Sequence, residues 1–358
     1  MDQKGNAIVA AWRDAVAGHQ HSVLRRSVWQ LASTLTGYVA LWVLMILSLG
    51  ISYWLTLALA VFAAGFLVRI FIIFHDAGHG SFFASRRAND ITGFITGVLT
   101  FTPYLEWRHM HALHHATSGD LDRRGPGDVP TLTVEEYAAA SRWQRLKYRM
   151  TRNPFILFVI GPLYVFLIEY RFPWSASGER ERRGIHLTNA ALAAIMLAMS
   201  LTVGFKAYVL ILLPVHMIAG AVGMWLFYVQ HQFEDVYWER RGEWDFTRAA
   251  LNGSSFYRLP KVLQWFTGNI GFHHIHHLSP AIPNYNLERC HNGSAIFKNV
   301  KPVTLWSGMK ALKFRLWDER QGKLVGFGRV RAIRRELARR REVLAERAAA
   351  KARPPVSV

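Results

Sequence analysis

Two pairs of long apolar segments constrain the fold of this chain more than any other feature. Residues 32–52 and 53–75 adjoin without a polar loop, and residues 187–204 and 207–230 are separated only by a short turn. Each segment approaches the roughly 20 residues that an α-helix needs to cross the hydrocarbon core of a bilayer. The sequence therefore predicts an all-α integral membrane protein whose four transmembrane helices form two hairpins.

Two shorter apolar segments, 91–104 and 154–172, are less suited to cross a bilayer than the four long ones. The first, at roughly 14 residues, is too short to cross a bilayer. The second is interrupted by Gly161-Pro162 and has arginines at both ends, which favours an interfacial or re-entrant segment over a span. We predict that both segments are interfacial.

The distribution of charge predicts an orientation. The chain carries a formal net charge of +19 at pH 7, and Lys206 is almost the only charge in the two hairpin turns. Positive residues concentrate in cytoplasmic segments, so we expect a cytosolic N-terminal segment (1–31), a membrane domain with a cytosolic helical cap (32–310) and a basic cytosolic tail (311–358). No nucleic-acid-binding motif accompanies this charge, and the apolar segments favour a membrane as the partner.

Ten of the sixteen histidines lie in three short clusters. Residues four apart, or spaced i, i+3, i+4, share one face of a helix. Together with His231, at the end of the fourth span, the clusters offer nine imidazoles: His75, His79, His111, His114, His115, His231, His273, His276 and His277. His109 and His274 lie off the shared faces.

Nine nitrogen ligands are too many for one metal ion, but two ions can share them at four or five each. Imidazole ligands favour iron, copper or zinc, and redox chemistry beside lipid favours two iron ions. A single site requires all clusters on the same side of the membrane, which the four-span topology provides. Asp76, Glu234, Asp235 and Asn269 are candidates for orienting the imidazoles from outside.

Other metal chemistries fit the sequence poorly. The single cysteine, Cys290, excludes an internal disulfide framework and a self-contained iron–sulfur cluster. Glu106 and Glu288 each begin a Glu-x-x-His motif, but a carboxylate-bridged di-iron bundle needs two further inward glutamates. The apolar helices do not supply them.

The histidine clusters and their surroundings resemble the membrane fatty acid desaturase family, in particular its acyl-lipid, omega-6 (delta-12-like) branch. The three boxes are matched by His75–His79, His111–His115 and His273–His277, and the motif Pro283-Asn284-Tyr285-Asn286-Leu287 follows the third. The segment around His231 is similar to the family's additional histidine site. Three residues, rather than four, separate the histidines of the first box, which favours an acyl chain esterified in a lipid.

The resemblance implies a four-helix membrane stem under a cytosolic cap with two irons, and O2-dependent insertion of a cis double bond into an acyl chain. Electrons would come from an external ferredoxin or cytochrome b5, since the chain has no cytochrome b5 motif. A hydroxylase or ketolase with the same site remains an alternative, and a metal-binding or transport protein a remote one. The Ala/Arg-rich composition favours the bacterial inner membrane, with the site on the cytoplasmic face.

Overall fold

The computed structural model describes residues 12–125, 128–173, 178–332 and 335. Helices dominate this part of the chain, and two small sheets accompany them. In chain order the helices are α1 (Leu24–Ser48), α2 (Tyr53–His79), α3 (Arg86–Leu99), α4 (Tyr104–Thr117), α5 (Val134–Ala139), α6 (Arg142–Thr151), α7 (Gly161–Leu167), α8 (Glu179–Met199), α9 (Phe205–His231), α10 (Phe246–Asn252), α11 (Lys261–Phe266), α12 (His273–Leu278), α13 (Asn284–Gly293), α14 (Ala295–Lys298) and α15 (Leu305–Ala311).

Among the described residues, three helical stretches are long and apolar enough to cross a membrane: α1, α2 and the 53-residue stretch Glu179–His231. The third is more than twice the length of one span, and Gly204 interrupts it with a φ of 95°. The start of α8 packs against α4, where a Cβ at Gly184 would lie 3.3 Å from Leu105, while α9 ends at His231 beside the same cap. We conclude that α8 and α9 double back as a hairpin.

The predicted fold class, a mostly helical membrane protein built from two hairpins, is confirmed. Helix α2 lies at the centre of the membrane stem, because apolar residues cover all its faces and over half of its most apolar 18-residue stretch is buried. Helix α1 packs along it so closely that Phe66 of α2 fills the space beside Gly37. Both α2 and α9 then end at the cap, each with a histidine as its last residue.

The first of the two shorter apolar segments lies largely in one short helix, and the second forms a series of short helical turns. Helix α3 begins earlier than the predicted 91–104, because Ser85 caps its first turn by accepting a hydrogen bond from the Ala88 N–H. Residues 154–172 contain a π-helical turn (Ile156–Ile160), α7 and a 3-10 turn (Glu169–Arg171), and the run from Ile156 to Arg171 is bent by 63° from α6. Such a pair is either a broken span or a re-entrant segment by length and composition, so the interfacial placement stays a prediction.

The cap consists of α4–α6, α10–α15 and five short strands. Strands β1 (Leu132–Thr133), β4 (Leu316–Asp318) and β5 (Lys323–Val325) form one sheet, in which β4 pairs parallel with β1 and antiparallel with β5. Strands β2 (Phe256–Tyr257) and β3 (Pro302–Val303) pair in parallel. The first part of the segment predicted as a basic tail therefore belongs to the folded cap; residues 333–334 and 336–358 lie outside the described residues, as do residues 1–11.

Candidate metal centre

Five histidines form the first group of possible metal ligands, called group A here. His75 and His79 come from the last turn of α2, His111 and His115 from α4, and His276 from α12. One nitrogen of each lies within 4.8 Å of the corresponding nitrogens of the others. Gly80, with a φ of 72°, ends α2 directly after His79, so the first two ligands project from a terminated helix into the cap.

Four histidines form a second set, group B: His114, His231, His273 and His277. All four are buried, whereas His79, His111 and His115 of group A are partly accessible. The two groups adjoin where the rings of His115 and His277 stack with centroids 4.2 Å apart. The structure thus brings together all nine histidines singled out in the sequence.

Neighbouring histidines in the sequence contribute to different groups. On α4, His114 points into group B and His115 into group A; on α12, His276 belongs to group A and His277 to group B. Consecutive residues on a helix diverge by about 100° around its axis, so each histidine pair serves two adjacent sites. Helices α4 and α12 are the shared walls of the centre.

Within each group, the histidine nitrogens lie close enough together to bind one ion. The Nε2 atoms of His75, His111, His115 and His276 form a chain of contacts of 3.0–3.1 Å. In group B, the His231 Nε2 lies 3.1 Å from that of His114 and 3.0 Å from that of His273. If an ion lay about 2.1 Å from each of two nitrogens separated by 3.0–3.1 Å, the nitrogen–ion–nitrogen angle would be about 90°. Tetrahedral coordination at the same bond length would place the two nitrogens roughly 3.4 Å apart.

Five of the imidazoles in the cap are held in the neutral form that a metal ion requires. Burial, reinforced by the neighbouring imidazoles, lowers the pKa well below the usual histidine range for His111, His115, His273, His276 and His277. Within the described part of the chain, the Nε2 atoms of His79 and His277 are buried without a hydrogen-bond partner. A metal ion in each group would satisfy these atoms.

Asp76, a predicted orienting residue, lies beside group A. Its Oδ1 is 3.2 Å from the Nδ1 of His75, and its Oδ2 accepts hydrogen bonds from the backbone N–H and side-chain amide of Asn284, at 2.6 and 2.8 Å. Gln30 of α1 donates to the Asn284 side chain at 3.0 Å. This buried chain of hydrogen bonds connects α1, the motif at residues 283–287 and His75.

Asp128 is an orienting residue that the sequence reasoning missed. Its Oδ1 lies 2.6 Å from the Nδ1 of His114, and both side chains are nearly inaccessible. The Nδ1 of His231, by contrast, faces the carbonyl of Gly253 at 3.3 Å. Asp128 lies in a loop fourteen residues after His114, so helical spacing could not predict the contact. In the sequence, Asp128 is recognisable only as an acidic residue that follows the second histidine box.

The remaining three candidates for orienting residues lie elsewhere. Glu234 and Asp235 are exposed, and Asp235 pairs with Lys301 at 2.9 Å. Asn269 donates to the carbonyl of Asn284 and accepts from Gln264. In the described hydrogen bonds none of the three reaches an imidazole, because the chain turns away from the centre after His231 and Asn269 faces α13.

The two histidines predicted to lie off the shared faces do so. His109 is exposed on α4. His274 is buried and lies 3.3 Å from the Nδ1 of His291, and burial lowers the pKa of His274 to about 3. The metal-binding groups found among the described residues contain histidines alone, so Glu106 and Glu288 take no part in them.

The geometry defines a membrane protein with two adjoining metal-binding groups built from histidine. A model of the fatty acid desaturase family matches residues 52–298. Over 318 residues the chain is 52% identical to a fatty acid desaturase of Bacillus subtilis, an alignment that covers 89% of this chain and 90% of that protein. The chain belongs to the fatty acid desaturase family of oxidoreductases, which confirms the resemblance read from the histidine boxes.

More distant relatives have names that specify a substrate. The chain is 29% identical over 239 residues to the sn-1 oleoyl-lipid 12-desaturase of Synechocystis, covering 63% of this chain and 64% of that one. It is 28% identical over 247 residues to a temperature-sensitive sn-2 acyl-lipid omega-3 desaturase (ferredoxin) of Arabidopsis thaliana, covering 65% and 55%. The predicted similarity to acyl-lipid desaturases is therefore confirmed, while these two names place the double bond differently.

Proposed function

We propose that this protein introduces a cis double bond into the acyl chain of a membrane lipid, using O2 and two iron ions. The observation that carries the proposal is the meeting of nine imidazoles in two adjoining groups at the ends of apolar, membrane-length helices. A lipid acyl chain can reach such a site from the bilayer without leaving an apolar environment. Membership of the desaturase family supplies the reaction class.

The donor set favours iron over zinc. Imidazole suits both metals, but structural zinc is almost always four-coordinate and tetrahedral. Group A offers five nitrogens, and the contacts of 3.0–3.1 Å among four of them fit angles near 90°. Iron bound there would supply the redox chemistry that activates O2 toward an unactivated methylene. We assign the five residues of group A to one ion and the four of group B to the other.

The chain's own residues position the ligands and exclude water. Asp76 and Asp128 accept from the outer nitrogens of His75 and His114 and so direct the inner nitrogens toward the ions. Aromatic rings line the membrane side of the centre: Trp107 stacks on His111 with ring centroids 4.3 Å apart. The apolar lining holds a hydrocarbon chain beside the ions and keeps water from competing for the reaction.

Electrons must come from a separate carrier, because the single cysteine cannot hold an iron–sulfur cluster. One relative's name includes ferredoxin, and we propose a ferredoxin or a cytochrome b5 as the donor. Acidic carriers suit the strongly basic segments that the positive-inside rule assigns to the cytoplasm. We place the centre on the cytoplasmic face of a bacterial inner membrane.

The test is a lipid analysis of a desaturase-deficient host with and without the chain, with double-bond positions mapped. A new cis-unsaturated acyl chain on an intact lipid, together with about two irons per purified chain, is expected. A hydroxylated or ketonic product would favour the alternative oxygenase reaction and overturn the proposal. Full turnover with a chemical reductant but no carrier protein would contradict the need for an external donor.

A further inference from the structure

One face of helix α3 borders an open depression that lies outside the metal centre. The depression has a volume of about 750 Å³, and its lining is formed by Arg86, Arg87, Asp90, Ile91, Phe94 and Ile95. These residues form two adjacent rows in which successive members are four apart, so they share one side of the helix. The α3 depression therefore has a charged end at the first turn of the helix and an apolar end one to two turns further along.

The charged end carries two guanidinium groups without a counter-charge. Arg86 and Arg87 are exposed, and neither takes part in an ion pair with another described residue. The carboxylate that lines the same depression, Asp90, is already engaged, because its Oδ1 accepts a hydrogen bond from Arg108 of α4 at 3.1 Å. Two positive charges are therefore left to bind an anion.

The apolar end exposes branched side chains. Ile91 and Ile95 lie one and two turns beyond Arg87, and their exposed fractions are 51% and 50%. Phe94 is partly exposed beside them. Transfer of such side chains from water to an apolar surrounding is favourable, so hydrocarbon is the neighbour that suits this end. The two ends together match an amphiphile that has an anionic headgroup and an acyl chain.

The opposite side of α3 packs against helices that carry metal ligands. It is buried and includes Asn89, Thr92 and Thr96. Tyr104 of α4 fills the space beside Gly93, and its hydroxyl donates a hydrogen bond to the carbonyl of Ala77, in the last turn of α2, at 2.8 Å. The α3 depression is therefore on the outer side of a helix whose inner side is fixed to α2 and α4.

The charged end of the depression lies near the metal ligands and the apolar end lies away from them. Next to the first turn of α3, the side chain of Asn89 donates a hydrogen bond to the carbonyl of Gly80, which ends α2, at 3.2 Å. At the other end of the helix, the carbonyl of Leu99 lies 3.2 Å from the Nε2 of His216 in α9. His216 precedes His231 by fifteen residues, which is about 22 Å along α9. A lipid lying along α3 would thus hold its headgroup at the level of the ligands and direct a chain toward the middle of α9.

We propose that the α3 depression binds an anionic membrane phospholipid, with the phosphate at Arg86 and Arg87 and an acyl chain along Ile91 and Ile95. Guanidinium groups bind phosphate oxygens through paired N–H donors. A headgroup with one net negative charge, such as that of phosphatidylglycerol, suits two unpaired cations better than phosphatidylcholine, whose ammonium group adds a further positive charge. This lipid stays on the outer side of α3, and its binding does not depend on the proposed desaturation.

The experiment titrates the purified full chain in detergent with phosphatidylglycerol or phosphatidylcholine and measures bound lipid by native mass spectrometry. We expect the double variant Arg86→Gln/Arg87→Gln to lose affinity for phosphatidylglycerol about tenfold or more, and its affinity for phosphatidylcholine to change by less than about twofold. The matched control, Arg180→Gln/Arg182→Gln, removes the same charge from the first turn of α8, where the glutamates at 179 and 181 alternate with the arginines. Its affinity for phosphatidylglycerol should stay within about twofold of the wild type.

Soluble glycerol 3-phosphate serves as a competitor, and it should not displace the lipid because it lacks the hydrocarbon that contacts the apolar end. Unchanged binding of phosphatidylglycerol by Arg86→Gln/Arg87→Gln would overturn the proposal. An equal loss of affinity in the α8 control would also overturn it, since attraction to net charge alone would then explain the binding. Displacement by glycerol 3-phosphate would show a site for free phosphate instead of a lipid. Thermal stability is measured on the same samples, and if the double variant does not fold, unchanged binding by Arg87→Gln alone would overturn the proposal.

Discussion

Groups A and B use the same ligand type but differ in enclosure and support. All four histidines of group B are buried, while three of the five in group A are partly accessible. Among the described residues, a protein acceptor holds the outer nitrogen of two histidines in group B, His114 and His231, but of only His75 in group A. Group B is thus the more buried and better-supported site, and group A is the more accessible one.

The difference follows from the elements that build each group. Group B lies where α9 meets α4 and α12, closed by the loop that carries Asp128 and by the turn at Gly253. Group A lies at the end of α2, where the helix stops at Gly80 and leaves one side less covered. We propose that O2 and exchangeable ligands reach the centre at group A, and that group B serves as its fixed partner.

Removing one ligand histidine from either group should cause the largest loss of bound metal and of turnover. His276→Ala and His277→Ala change adjacent residues of α12 that serve groups A and B, respectively. We expect each variant to lose about half of the bound metal and more than 100-fold of its turnover, beyond the roughly 10–100-fold typical of residues that support a ligand. Metal analysis and product formation on the same preparations check this. Retention of both metals by either variant would contradict the assignment of ligands.

Replacing the carboxylates that support the ligand histidines should weaken metal binding by an intermediate amount, and the loss of affinity should be larger at group B. Both side chains are largely inaccessible, but Asp128 lies 2.6 Å from its histidine, whereas Asp76 lies 3.2 Å away and is also held by Asn284. We expect Asp128→Asn to weaken metal binding at group B about 10–100-fold, and Asp76→Asn to weaken group A less. Titration of metal into apo protein measures both affinities. Equal losses of affinity in the two variants would show that the two carboxylates support their groups equally.

The accessibility of the two groups predicts different rates of metal loss. When the holoenzyme is mixed with a chelator, we expect two kinetic phases, the faster one about tenfold quicker and assigned to group A, because local opening is easier where fewer contacts are buried. The faster phase should be absent in His276→Ala and the slower one in His277→Ala. Release in a single phase from the wild type would show that the groups are equally enclosed.

Periodicity and length were sufficient to predict the membrane stem and the nine histidines, because a span is long and apolar and a histidine box is local. The division of the nine into groups was not predictable: the sequence shows His114 and His115 as neighbours, and only the direction of α4 relative to α2 and α9 separates them. Asp128 and Asn284 support the centre from loops and a distant helix, and such contacts depend on the tertiary fold. The small sheet that joins residues 316–325 to β1 is equally non-local.

The smallest effect on turnover and metal affinity is expected at Glu234 and Asp235, which the sequence analysis named as candidates for orienting the imidazoles. Both side chains are exposed, and Asp235 pairs with Lys301 at the surface. A surface ion pair contributes about 0–1 kcal/mol, and neither carboxylate touches an imidazole in the described structure. We expect Glu234→Gln and Asp235→Asn to change turnover and metal affinity by less than about twofold, in contrast to Asp128→Asn in the same assay. A loss at either position comparable to that of Asp128→Asn would mean that group B draws its support from the segment after α9, and the contrast between the two groups would have to be revised.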